Sequence, residues 1–162
     1  MERTIAPASV RKGIAAILFR RKGDRLEFLI THRTLRWHGW ETLKGGVQPS
    51  ETNTQALFRE ILEELDIDRK HAKPLGIVPG SKIFFKVPVR FREQMGGFAY
   101  AHYEPFYLVE IAPETKTNLR KDFAKEHDEI RFVPYSGALR LLTYSNVRAA
   151  LRRAKRMIEK KN

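Results

Sequence analysis

GGVQPSETNTQALFREILEELDI, residues 45–67, is the stretch whose reading decides the fold. Gly45 and Gly46 carry no Cβ, so they predict a tight turn that can come close to a ligand. Pro49 and Ser50 continue the loop. Thr52 followed by Gln55 is a capping box of the T-x-x-Q kind and predicts a helix start. Residues 56–65 then hold strong helix formers and no Pro or Gly. Leu57, Ile61 and Leu65 recur at i, i+4, i+8 as an inner stripe, widened by Phe58 and Leu62. Glu60, Glu63 and Glu64 stand at i, i+3, i+4 and share another arc. Like charges so placed repel, and a hard divalent cation would offset the repulsion. Mg²⁺ takes oxygen ligands, typically a few carboxylates with water and substrate phosphate. Arg59 can hold a carboxylate in place through a bidentate pair. A solvated acidic face is the alternative. It is disfavoured because the chain as a whole is basic, yet its acids gather beside the glycines.

The formal charge of +12 comes from 31 Lys and Arg against 19 Asp and Glu. It points to a polyanionic ligand (nucleotide, inositol phosphate or RNA) or to a general solubility bias. With 162 residues, 42% hydrophobic and 31% charged, a single domain over 1–162 is expected, its core about 12–160. No apolar run approaches the roughly 20 residues of a membrane span, so no membrane partner is expected. The N-terminus lacks an apolar h-region, and a cytoplasmic location is expected. The absence of cysteine excludes disulfides, a Cys-based zinc site and a thiol nucleophile.

Working outward, residues 12–20 (KGIAAILFR) read as a buried strand, 21–24 as a hairpin turn and 26–32 as its partner. Residues 66–74 read as loop and 75–78 as a strand. A β-hairpin is expected from 82 to 111, with Pro88 at an edge or bulge and a break near Pro105. Residues 112–124 read as loop and 126–133 as a strand. One helix starts at Pro134. A last one, capped by Asn146 or Ser145, turns Val147, Leu151, Ala154 and Ile158 inward. This is an α/β (α+β) layered architecture, a mixed sheet between helices. The last helix also carries Arg148, Arg152, Arg153, Lys155, Arg156, Lys160 and Lys161, a solvated face or a phosphate-tracking patch for RNA.

Gly45, then Glu51, then Arg59-Glu60-Ile61-Leu62-Glu63-Glu64-Leu65 and Ile67 resemble the Nudix box, G-x5-E-x7-R-E-U-x-E-E-x-G-U. The last glycine is replaced by Asp66, which tolerates the left-handed conformation. Trp40-Glu41-x-x-Lys44-Gly45-Gly46 is similar to the family's entry to the box, with Leu43 where proline is usual. Lys125-Glu126-His127-x-x-Ile130-Arg131-Phe132 resembles the tail of the asymmetrical diadenosine tetraphosphate hydrolases. There Ile130 replaces an aromatic and cannot stack on a base. The resemblance implies an α/β/α sandwich and hydrolysis of a phosphoanhydride with Mg²⁺, or Mn²⁺ in its place.

Under that resemblance Glu60, Glu63 and Glu64 hold metal. Glu64 is the first choice of general base, Glu126 the next, and Arg59 orients Glu51 or a helix glutamate. Lys44, Arg33, Gly45 and Gly46 meet the phosphates, and Tyr103 is a stacking candidate for a base. A dinucleoside polyphosphate is the first substrate expected. The 5′ end of RNA and inositol pyrophosphates are its rivals, and a non-catalytic Nudix-fold nucleotide or RNA binding module is the reading from another class.

Overall fold

The apolar run at residues 12–20 becomes the middle of a mixed sheet. The computed structural model describes residues 9–119 and 126–161. Lys125 of the tail motif, residues 1–8 of the lead-in and residues 120–124 of the expected loop lie outside these. The strands are β1 (Val10–Lys22), β2 (Arg25–Arg33), β3 (Gly39–Glu41), β4 (Leu43–Gly46), β5 (Ala72–Ile77), β6 (Ile83–Lys86), β7 (Tyr100–Ile111) and β8 (His127–Pro134). The helices are α1 (Asn53–Leu65), α2 (Tyr135–Leu141) and α3 (Ser145–Lys160).

β1 runs parallel to β7 along most of its length. On its other side it changes partner. Leu18 to Lys22 pair with β2, whereas Gly13 to Ala16 pair with β4. β2 meanwhile continues to β3 and, on its far side, to β8. The sheet therefore splits where β1 and β2 part, and β3 and β4 line the split. Ile14, Ala16 and Leu18 face α1, and Ala15, Ile17 and Phe19 face the core that α3 covers. Burial on both faces explains why β1 reads as an unbroken apolar run rather than an alternation.

The capping box forms as the sequence predicts: Thr52 Oγ1 accepts from Gln55 N, and Gln55 Oε1 accepts from Thr52 N. Asp66 caps the C-terminus of α1 at φ 57°, ψ 37°. The inner stripe of α1 is buried at Leu57, Ile61 and Leu65, and that of α3 at Val147, Leu151, Ala154 and Ile158.

Several local expectations are corrected. Gly45 and Gly46 form no turn: they are the end of β4, paired with Ile14 and Gly13. β5 starts at Ala72, inside the expected loop, and Pro74 is tolerated because β5 pairs only with β7 among the described strands. β7 is one continuous strand through Pro105. The cap of α3 is Tyr144, with no side-chain capping bond; Ser145 and Asn146 lie within the helix.

Candidate active site

Arg59 joins the loop, the strand and the helix around the split. Its Nε and Nη2 donate to the two Glu51 carboxylate oxygens at 2.7 and 2.8 Å. Nη2 also donates to Gly46 O at 2.8 Å. Nη1 donates to Glu60 Oε1 at 2.8 Å and to Glu63 Oε2 at 3.2 Å. The hydrogen bonds from Arg59 draw the Glu51 pKa down to about 2. The bond to Glu51 in turn raises that of Arg59, against its partial desolvation.

A second network lies beneath. Glu41, 3% exposed, accepts from Arg33 Nε at 2.7 Å, from His127 Nε2 at 2.8 Å and from Lys44 Nζ. Burial pushes the Glu41 carboxyl up, but Lys44, His127 and Arg33 together hold it far below the ordinary range. Burial pulls the Lys44 ammonium down, and Glu41 opposes that without cancelling it. For Arg33 burial lowers the pKa, but Glu41 and Glu126 win and the net shift is upward. Arg33 also reaches Glu126 Oε2 at 3.4 Å. It is therefore no surface cation, yet its Nη1 is buried and has no hydrogen-bond partner.

Between the networks opens a cleft of about 340 Å³. Its lining brings Arg11, Arg33, Arg36 and Lys44 together with Glu60, Glu64, Glu126 and Gly45, and Arg36 Nη2 lies 3.7 Å from Glu126 Oε1. The Trp37 ring lies near the basic groups: Arg33 Cζ is 4.8 Å from its centroid, Lys44 Nζ 5.3 Å and Arg36 Cζ 5.7 Å. Arg36 sits at φ 69°, and its Nε is also buried without a partner. Desolvation and then the Arg33 charge lower its pKa. Both guanidinium groups belong to residues that line the cleft and each keeps one buried donor without a partner; guanidinium groups suit an anion with several oxygens.

The acids of the cleft are strained in the same electrostatic sense. Burial raises the Glu60 pKa despite Arg59, and the charges of Glu63 and Glu126 add to the rise. Burial, Glu60, Glu126 and Glu41 drive Glu64 well above the ordinary range, although its residue surface stays partly open. The carboxylates repel across a space that Arg33 only partly compensates. In kind this donor set, oxygen only and excess negative charge, fits a hard divalent cation. Among the described residues, however, no three His, Asp or Glu side chains converge on one point as metal ligands.

The trio expected from helix spacing divides. Glu60 and Glu64 line the cleft, but Glu63 turns to Arg59, and Glu126 takes the third place on the wall. Gly45 lines the cleft, whereas Gly46 meets the Arg11 guanidinium: a Cβ there would stand 2.8 Å from Arg11 Nη2. Tyr103 also lines the cleft, though little of it is open for a base to stack on. Its ring is 2% exposed, Phe85 stacks on it at 6.3 Å and Gly13 closes in from β1; its hydroxyl accepts from Arg11 Nη1 at 3.2 Å. Trp37, not Trp40, is the indole of the cleft. Sequence reasoning missed Arg11, Arg36, His127 and the role of Glu41. Two of these left a signal: Glu41 stands three residues before Lys44 in the stretch leading to the glycines, and His127 follows Glu126 in the tail motif.

The NUDIX domain profile matches residues 10–154, and the chain belongs to the Nudix family. It is a Nudix pyrophosphohydrolase. An RNA pyrophosphohydrolase of Sulfurovum sp. (strain NBC37-1) is 30% identical over 137 residues, covering 84% of this chain and 85% of that protein. The RNA pyrophosphohydrolase of Stenotrophomonas maltophilia (strain K279a) is 26% identical over 133 residues, 81% of this chain but 62% of that longer protein. Among solved structures, a C. elegans Ap4A hydrolase binary complex superposes with a TM-score of 0.72 at 19% identity, covering 93% of this chain and 98% of that one. The E. coli dihydroneopterin triphosphate pyrophosphohydrolase gives 0.64 at 18% identity, covering 86% and 91%. At such identities these two speak for the fold, the layered mixed sheet expected from the sequence. Nudix hydrolases generally use divalent cations.

Proposed function

We propose that the protein hydrolyses a phosphoanhydride at the 5′-triphosphate end of RNA, with Mg²⁺ as the cation. The observation that carries this reading is a cleft whose lining combines the cations Arg11, Arg33, Arg36 and Lys44 with the acids Glu60, Glu64 and Glu126. A triphosphate presents several charged oxygens in a row, and the free donors of Arg33 and Arg36 would take them. The relative that is 30% identical, named as an RNA pyrophosphohydrolase, supports RNA as the carrier of that triphosphate.

Glu60, Glu64 and Glu126 would hold Mg²⁺, which when bound supplies charge neutralisation and a more acidic water. Glu64 is the proposed general base. It removes a proton from the water that attacks phosphorus, as the new P–O bond forms and the anhydride P–O bond breaks. A carboxylate that lines the cleft beside the acids that would hold the cation is placed for that task. Glu126 is the next choice. Arg59 acts as a positioning residue, holding Glu60 and Glu63 so that the helix presents its acids in a fixed order. Glu41 does the same for Arg33 and Lys44.

A dinucleoside polyphosphate is the second reading, favoured by the tail motif, in which Glu126 lines the cleft and His127 locks Glu41. Product analysis with Mg²⁺ separates the two. Triphosphorylated RNA, diadenosine tetraphosphate and an inositol pyrophosphate are offered in parallel. The reading expects monophosphorylated RNA as the fastest-formed product. Preferential release of a nucleoside triphosphate from the dinucleotide would give the second reading its place.

A further inference from the structure

We propose, resting on the RNA reading above, that the outer face of the β6–β7 ribbon binds the single-stranded RNA that follows the 5′ end. β6 is an edge strand, paired only with β7 among the described strands. Along it Ile83 and Val87 are buried, whereas Lys82, Phe84 and Lys86 are exposed. The register sets Phe84 opposite His102 and Lys86 opposite Tyr100, and on the next strand Lys12 opposite His102. Residues in register share a face, so these side chains form one patch.

Phe84 is 47% exposed, a large aromatic left in water. Its ring stacks on Tyr100 at 5.7 Å and 12°, and His102 meets it edge-on at 5.7 Å. Lys86 and Lys12 stand in register with these rings, Lys82 precedes Phe84 by two residues, and all three lysines are exposed. Glu104, next along β7, is occupied by His102 at 2.9 Å. Lysines alone on an edge strand would serve to block pairing with other chains. They do not account for stacked rings kept open between them. Rings that accept bases, set among cations that accept phosphates, are the composition of a sequence-tolerant single-strand surface. Arg11 and Tyr103 lie on the cleft side of the same two strands, alternating with Lys12 and His102. RNA leaving the cleft reaches the patch by turning around the short β6.

The test measures fluorescence anisotropy of a labelled 5′-hydroxyl single-stranded RNA of about 12 nucleotides. That probe has no triphosphate, so its binding does not depend on the cleft. Wild type is expected to bind it with an affinity that falls as salt rises. Phe84→Leu, which keeps the apolar bulk but removes the ring, and Tyr100→Ala should each weaken binding about tenfold. Lys82→Glu should reduce the salt slope by about one. Tyr100→Ala and Lys82→Glu should still release pyrophosphate from a triphosphorylated dinucleotide at the wild-type rate, which also shows them folded. Unchanged RNA affinity in all the variants overturns the proposal. So does a wild-type dimer that the variants convert to monomers with RNA affinity intact, since the patch would then be a contact between copies. Failure of wild type to cleave triphosphorylated RNA strikes the RNA reading instead, and is read in a separate assay.

Discussion

The carboxyl group of Glu60 lies directly against Gly45. A Cβ built on that glycine would stand 2.1 Å from Glu60 Cδ and 2.3 Å from its Oε1. Arg59 Nη1 donates to that same Oε1 at 2.8 Å, so moving the carboxylate would also break this bond. The glycine is needed for a close approach, but by the protein's own acid.

Gly45→Ala should therefore displace Glu60. Activity should fall at least a hundredfold, with a stability loss of about 1–3 kcal/mol from overpacking. Gly46→Ala meets only the end of the longer Arg11 side chain and should be the milder change. Steady-state kinetics and urea unfolding of the two variants give the comparison.

Glu41 is the shared anion of Arg33, Lys44 and His127. Glu41→Gln leaves buried cations without their counter-charge, which costs about 3–5 kcal/mol. Urea unfolding should show that loss. A variant as stable as wild type would mean that the cations find other partners.

The Arg59–Glu51 pair gives a pH signature. The Glu51 pKa is about 2 in the folded protein, below its ordinary value of 4.5. A depressed carboxylate contributes stability above the unfolded pKa and loses it as pH falls through the folded one. Wild type should exceed Glu51→Gln in stability by about 1 kcal/mol above pH 5, the modest size expected of a pair at the surface. The gap should close between about pH 4.5 and 2. Thermal unfolding over that range checks it.

Glu64 carries the opposite sign. Its pKa is raised by burial and by Glu60 and Glu126, so in the metal-free protein its ionisation works against folding as pH rises. Glu64→Gln should be more stable than wild type at pH 8, and the difference should shrink towards pH 4. Equal stability at both pH values would contradict the electrostatic account of the cleft.

Local patterns made much of this legible. The capping box, the inner stripes of α1 and α3 and the hairpin of β1 and β2 are set by neighbours a few residues apart. So is the pairing of Arg59 with Glu51, eight residues away. The remainder depends on distant partners. Arg11 meets Tyr103 across 92 positions, and His127 meets Glu41 across 86. Gly45-Gly46 reads as a turn by composition, and only its pairing with β1 makes it a strand. Helix spacing puts Glu63 beside Glu60 and Glu64, but it cannot show that Arg59 claims Glu63 and leaves the cleft to Glu126.

The most direct measurement is pyrophosphate release from triphosphorylated RNA with Mg²⁺, by wild type and by Glu64→Gln at matched RNA occupancy. The account predicts turnover by wild type that a chelator abolishes. It predicts a loss of at least a hundredfold in kcat for the variant, with RNA affinity retained. Variant turnover within a fewfold of wild type, or wild-type turnover indifferent to the chelator, would contradict a cleft in which Glu64 takes the proton and the acids hold the cation.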